Sequence, residues 1–308
     1  MDELQDTIAY FEKGNTFYTS ENWKKAVIAY DRATRLCPSF ADTYFFKGNS
    51  LYALTQYESA LLAYNTTIKL VPRFIDAYQA KGTTLYALGK FKAAISSYNK
   101  AIWLEPDNIV CCYCKGIALF ELKLYQAAIT AYNTVIWLDS KYQDVYYRKG
   151  RALYALEKHD AAIVAYNHAL QSNPNDMETN FWKGKALCAL KKYDEAADAF
   201  DQVINQTLSD VEAYYKKGHA LSAAGKQKGA IDAFNKAIQL NPDYFDTHYA
   251  KALALTGLGK QEAALTAYDI SIKLAPHDAE VHFGKGNALH AFRKKKLAIE
   301  SYVVKATS

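Results

Sequence analysis

The residues able to do chemistry are few and scattered. The chain of 308 residues holds five cysteines and seven histidines. Cys111, Cys112 and Cys114 crowd one short stretch and invite a metal-site reading. Near neighbours on a helix splay around its axis instead of converging, and no histidine lies within a turn of them. They read better as small buried hydrophobes, and an odd count of cysteines suits a reducing compartment. The sequence contains no H-E-x-x-H, no G-x-S-x-G and no Walker phosphate loop. Gly284-Lys285-Gly286 opens like a dinucleotide loop, but Leu289 stands where the third glycine belongs and no strand pattern precedes it. No catalytic residue, cofactor or metal is therefore expected, and recognition by surface remains.

The polar and aromatic residues, unlike the cysteines, recur. Lysine appears at Lys13, Lys47, Lys81, Lys115, Lys149, Lys183, Lys217, Lys251 and Lys285, always 34 residues apart. Such a row either lays its stems on apolar surface with the amines in water or offers a basic stripe to an acidic partner. Net charge is +5, from 37 basic and 32 acidic residues, too balanced to argue for nucleic acid. Binding of nucleic acid or a lipid surface through lysines ranks below recognition of protein.

The element that positions these rows is legible in Ile75–Asn108. Two helical patterns, about Asp76–Leu88 and Lys92–Leu104, are joined by Gly89-Lys90, and Pro106 stops the second. Gly82 in mid-helix costs about 1 kcal/mol relative to alanine. The expected return is close approach of the second helix, which opens with Ala94 opposite it. Counting each copy from its first residue, glycine falls at place eight in Gly14, Gly48, Gly82, Gly116, Gly150, Gly184, Gly218 and Gly286, with Ala252 breaking the series. Alanine holds place twenty and an aromatic ring place twenty-four in all nine copies. Proline closes most copies; copies four and six have Ser140 and Leu208 there.

This pattern resembles the tetratricopeptide repeat (TPR) family, whose helix–turn–helix unit has a period of 34 residues. The resemblance covers residues 7–308. It implies an all-α fold, an α-solenoid of antiparallel helix pairs wound into a right-handed superhelix. The expected organisation is one solenoid with copies 7–40, 41–74, 75–108, 109–142, 143–176, 177–210, 211–244, 245–278 and a shortened 279–308, giving eighteen helices. No apolar run is long enough for a membrane span. The start, MDELQDTIAYF, lacks the basic and apolar regions of a signal peptide, which favours the cytoplasm and leaves signal-independent secretion open.

In this family the first helices line the concave wall, and that wall usually binds the partner. The resemblance therefore implies a non-catalytic protein–protein interaction scaffold holding a peptide segment or helix. An effector-type or assembly-chaperone adaptor gripping a host protein or complex subunit is the alternative. With 100° per residue, places five, nine and twelve share the wall face. The rings expected there are Phe11, Tyr18, Phe45, Tyr52, Tyr86, Tyr113, Phe120, Tyr147 and Tyr154, with Asn15, Asn49 and Arg151 as polar contacts. Such rings make good anchors, or they stack on one another between copies; both readings stay open. The carboxylate clamp by which some relatives grip chaperone tails needs lysine at place five of one copy. No copy has it, so chaperone-tail binding is not carried over.

The last copy differs. After the aromatic, eight copies have Asp or Asn, and copy nine has Val303 followed by Val304. That substitution points to self-association, a homodimer through the C-terminal copy. A one-residue register slip, or a chain that continues past Ser308, explains it equally.

Overall fold

The structure, a computed structural model, describes residues 2–292. The described residues form seventeen α-helices. Copies one to three hold α1 (Asp2–Thr19) and α2 (Trp23–Leu36), α3 (Ala41–Ala53) and α4 (Tyr57–Leu70), and α5 (Ile75–Ala87) and α6 (Phe91–Leu104). Copies four to six hold α7 (Ile109–Glu121) and α8 (Tyr125–Leu138), α9 (Gln143–Ala155) and α10 (His159–Leu170), and α11 (Met177–Ala189) and α12 (Tyr193–Gln206). Then follow α13 (Val211–Ala223) and α14 (Gln227–Leu240), α15 (Phe245–Gly257) and α16 (Gln261–Leu274), and α17 (Ala279–Ala291). The expected bounds in copy three differ from these by one residue at most, the usual scatter at helix ends.

Two compact units divide at Leu156 and Glu157. One carries α1–α9 and the other α10–α17. Within each, every helix packs on the one before it and the one after. First helices also touch one another, α1 with α3, α3 with α5, α5 with α7 and α7 with α9 in one unit, and α13 with α15 and α15 with α17 in the other. Second helices make no comparable contact among themselves among the described residues, so each stack curves with first helices on its inner side.

The turn between paired helices has a fixed geometry. Place fifteen is left-handed in every described copy, at Glu21, Thr55, Gly89, Lys123, Glu157, Lys191, Gly225 and Gly259. In copy two the Thr55 N–H donates to Tyr52 O (2.8 Å) and the Gln56 N–H to Leu51 O (2.9 Å). This is a Schellman closure, which satisfies carbonyls that the helix end would leave bare. Glycine is the residue that fits the conformation without strain, yet Thr55 holds it at φ 59°.

The core is a column of alanines and rings. Ala26, Ala60, Ala94, Ala128, Ala162, Ala196, Ala230 and Ala264 are all fully buried. Tyr30, Tyr64, Tyr98, Tyr132, Tyr166, Phe200, Phe234 and Tyr268 are at most 1% exposed. The sequence set Gly82 against Ala94, but the space over Gly82 belongs to Tyr98. A Cβ added at Gly82 would lie 2.5 Å from Cε1 of that ring, and one at Gly48 would meet Tyr64 at the same distance. Real Cβ atoms do not approach so closely, so the ring dictates the glycine.

Part of the lysine row stitches neighbouring copies together. Lys47 bonds Asp31, Lys217 bonds Asp201 and Lys285 bonds Asp269, each at 2.5 Å. The aspartates occupy place twenty-five of the preceding copy. Where that place is Asn65, Asn133 or Asn235, the facing lysines have no carboxylate from it, and burial lowers the pKa of Lys81, Lys149 and Lys251.

Candidate functional site

The wall residues expected from the sequence lie on the inner side of the first unit, on α1, α3, α5, α7 and α9. None of their rings is fully exposed. Three of the place-five rings of this unit pack between two others. Phe11 lies 6.0 Å from Tyr30 and 5.0 Å from Phe40, and Phe45 lies 6.1 Å from Tyr64 and 5.0 Å from Phe74. Tyr113 lies 6.4 Å from Tyr132 and 5.1 Å from Tyr142. Phe40, Phe74 and Tyr142 occupy the N-cap position of the following helix, where they make no side-chain cap bond. At Asn108 a polar cap replaces the ring and accepts from Cys111 N–H at 2.9 Å. Place five of that copy is Gln79, so in copy three neither place holds a ring, whereas in copies five, six and eight a ring at place five is accompanied by Asp176, Asp210 or Asp278. Gln79 Oε1 in turn receives the Cys111 thiol at 3.6 Å. Cys111 and Cys112 are buried, and burial pushes the Cys111 thiol up to about 12.

Place-twelve rings pack on the first residue of the second helix. The pairs are Tyr18 with Trp23 at 5.0 Å, Tyr52 with Tyr57 at 5.4 Å, Tyr86 with Phe91 at 5.3 Å and Phe120 with Tyr125 at 5.2 Å. Phe46, at place six, joins Phe11, Tyr18 and Phe45. These contacts lie within a copy, apart from those of Phe46 with Phe11 and Tyr18, and the bracing rings are ones the sequence reading passed over. Their signal was in the sequence: aromatics at places seventeen and thirty-four recur at the same period.

Two groupings result. Tyr18, Trp23, Phe45, Asn49, Tyr52 and Gln79 line an open cleft of about 400 Å³ over copies one to three. Burial raises the phenol pKa of Tyr52 and of Tyr86 above the ordinary 10, so both rings stay neutral at physiological pH. The second grouping lies on copies four and five. Arg151 donates to Tyr147 Oη at 2.8 Å and stands 5.6 Å from the centre of the Phe120 ring. Arg148, missed in the sequence reading, donates through Nε to Tyr113 Oη at 3.0 Å and to Asp144 at 3.3 Å. Cations over aromatic faces attract the ring quadrupole, and two guanidiniums held this way present donors suited to carboxylates. Tyr154 occupies the last turn of α9.

The asparagines face a different task from the one expected. Tyr30 Oη donates to Asn15 Oδ1 and Tyr64 Oη to Asn49 Oδ1, both at 2.8 Å. Their oxygens satisfy buried phenols, and their amide groups remain as donors toward the wall. In copy four Ile117 occupies this place, and the Tyr132 hydroxyl has no hydrogen-bond partner among the described residues. In copies six and seven the core ring is Phe200 or Phe234, with no hydroxyl to satisfy. Val303 and Val304 lie outside the described residues. No helix among the described residues is long and apolar enough to cross a membrane.

Comparison with known proteins completes the picture. No curated protein matches the sequence significantly. Residues 55–135 match the model for subunit 3 of the anaphase-promoting complex, or cyclosome. Residues 147–210 and 249–306 match the tetratricopeptide repeat model, and 218–259 a TPR repeat model. Among solved structures, YrrB, described as a TPR protein with an unusual peptide-binding site, is 24% identical with a TM-score of 0.56, covering 61% of this chain and 97% of its own. The C-terminal part of a TPR protein from Cytophaga hutchinsonii is 17% identical with a TM-score of 0.67, covering 75% and 95%. A tetratricopeptide repeat protein from Parabacteroides merdae is 16% identical with a TM-score of 0.60, covering 82% and 99%. The period, the glycine–ring contact and these matches together place the chain in the tetratricopeptide repeat family.

Proposed function

We propose that the chain is a non-catalytic scaffold that holds a peptide segment or helix of a protein partner against the inner wall of copies one to five. The observation that carries this is the cleft over copies one to three. Tyr18, Phe45 and Tyr52 line it, each braced by a neighbouring ring. Rings already held by neighbours lose little further freedom when a partner covers them, which is the condition for tight binding by anchors. Arg148 and Arg151 place two cations at copies four and five, with Asp144 bonded to Arg148, while Asp76 lines the cleft over copies one to three, so a segment with apolar residues and a carboxylate at the arginine end fits best. The fold neighbour YrrB is described as carrying a peptide-binding site; the wall here offers one to its own partner.

Panning a displayed library of random peptides against the chain tests the proposal. Selected peptides should lose at least tenfold in affinity to the Tyr52→Ala/Tyr86→Ala variant while its circular dichroism stays unchanged. Equal affinity for that variant would move the site elsewhere.

A further inference from the structure

The outer side of the first unit is built from second helices, and two of them differ from the rest. α6, FKAAISSYNKAIWL, and α8, YQAAITAYNTVIWL, contain no Asp or Glu. Every other described second helix carries at least one. The same two helices carry a tryptophan at place twenty-nine, Trp103 and Trp137, 74% and 83% exposed. The other described copies have Arg35, Lys69, Gln171, Asn205, Gln239 and Lys273 there, so packing within the stack does not require an indole. The indole is among the largest apolar side chains. Two of them left in water on consecutive copies mark a surface that something covers.

The lysines beside these helices distinguish the same stretch. Lys47 on α3 takes the carboxylate of Asp31 from the helix before it. Lys81, Lys115 and Lys149 stand at the same place on α5, α7 and α9, flanking α6 and α8, and face Asn65, Asn99 and Asn133. All three are partly buried, and their ammonium groups have no ion pair or hydrogen bond among the described residues. Lys183 and Lys251 also face asparagines, but α10 and α14 before them carry Asp160 and Asp232 and no tryptophan. Lys100 adds a cation to the outer face of α6, its ammonium 5.7 Å from the centre of the Trp103 ring. The carboxylates nearest in sequence to the tryptophans, Glu105 and Asp139, are already engaged. Glu105 accepts from Nδ2 of Asn108 at 2.6 Å and Asp139 from the Lys141 N–H at 2.9 Å.

We propose that the outer face of α6 and α8 docks a segment of a partner protein that is acidic along one edge and apolar along the other. Two rows on this face set that chemistry. The lysines lie level with place twenty-five, as Lys47 does with Asp31, and the tryptophans stand four residues further along the helix, about 6 Å away. A segment crossing α6 and α8 lays its apolar residues on the indoles and turns its carboxylates toward Lys81, Lys115 and Lys149. Glu105 and Asp139 lie beyond the tryptophans, which keeps the acidic edge on the lysine side. The stack itself shows what a lysine at this place accepts: Lys47, Lys217 and Lys285 each hold an aspartate. The indoles supply anchoring area, as tryptophan does at the centre of protein interfaces. This surface lies on the opposite side of the unit from the inner wall and does not rest on the function proposed above.

The test starts from a displayed library of random peptides, panned on the whole chain after depletion on the Trp103→Gln/Trp137→Gln variant. Copies five and seven carry glutamine at this place, so the variant should keep its fold, which circular dichroism checks. Peptides that combine Asp or Glu with Leu, Ile or Phe should be enriched. A synthetic peptide of the selected sequence should move the tryptophan emission of the chain to shorter wavelength as the indoles leave water. Its affinity should fall about tenfold or more in Trp103→Gln/Trp137→Gln. It should fall about fivefold in Asn65→Asp/Asn99→Asp, where Lys81 and Lys115 gain carboxylates of their own. Failure to enrich any peptide, enrichment of neutral or basic peptides, or equal affinity for the Asn65→Asp/Asn99→Asp variant would each overturn the proposal. Tighter binding of poly(U) than of the peptide would overturn it in favour of a nucleic acid. A dimer of the chain alone that Trp103→Gln/Trp137→Gln dissolves would overturn it in favour of a second copy.

Discussion

The hydroxyl of Tyr64 donates to Oδ1 of Asn49 at 2.8 Å, bonding the second helix of copy two to the first across fifteen residues. The phenol is almost fully buried and the asparagine half-exposed on the wall. Removing the acceptor strands a buried hydroxyl, which costs about 1–3 kcal/mol. Asn49→Leu should destabilise the chain by that order in urea titration. Tyr64→Phe in the same chain should recover most of the loss. A double-mutant cycle without coupling would show that the bond does not stabilise the pair.

Gly82→Ala pushes a methyl group into the ring of Tyr98, with 2.5 Å available. Overpacking of this kind costs about 1–3 kcal/mol, despite alanine's better helix propensity. Ala128→Leu, at a fully buried alanine of copy four, should cost a similar amount. Both are read from the midpoint of chemical denaturation; an unchanged midpoint at either site would mean the helix pair has slack.

Thr55 holds a left-handed conformation that a β-branched residue adopts at a cost. Thr55→Gly should raise stability by about 0.5–1 kcal/mol, since three other copies already use glycine at this place. The same change at Thr43, inside α3, should lower it.

Burial raises the phenol pKa of Tyr30, Tyr64, Tyr98 and Tyr132 above the ordinary 10. Raised folded values mean the unfolded chain loses these protons first. Their contribution to stability is complete below pH about 10 and disappears as pH rises through the folded values. Spectrophotometric titration should show these tyrosines ionising only together with loss of helical signal. Independent ionisation near pH 10, with the helices intact, would contradict their burial.

Asn65→Asp should give Lys81 the carboxylate that Asp31 gives Lys47. The lowered pKa of Lys81 should then rise, as read by NMR of the labelled lysine, and the chain should gain up to about 1 kcal/mol at pH 7. A Lys81 titration that does not move would show that places seven and twenty-five do not meet at this junction.

Much of the fold could be read from periodicity alone, because Gly82, Ala94 and Tyr98 recur at fixed places and each copy must solve the same packing problem. The sequence does not show which side chain fills which space. Gly82 was matched to Ala94, twelve residues on, when the atoms over it belong to Tyr98, sixteen residues on. Asn49 reads as a groove residue because its face is right, while its bond to Tyr64 depends on the distance between paired helices. The wall rings were legible as a stripe. Their braces, Phe40, Phe74 and Trp23, sit in or beside turns, where helical periodicity says nothing. Arg148 falls on a place with no pattern, so only the geometry brings it to Tyr113. The aspartates opposite Lys47 and Lys217 were visible as a row, but they belong to the preceding copy, and a reading made copy by copy separates them from their lysines.

A ring seated over a glycine, as Tyr98 over Gly82, acts like a pawl in a notch. The two helices of a copy cannot slide along each other without lifting the ring out, whereas the Lys47–Asp31 link between copies is one ion pair at a half-exposed edge. Pulled from its ends, a stack built this way should yield at the seams between copies while each pawl still holds. Extension would then proceed in equal steps, each detaching a helical hairpin of 34 residues, which measures about 110–120 Å of stretched chain once its own pawl has lifted. The repeat length would become a step length, and such a stack would lengthen under load as a spring of identical links.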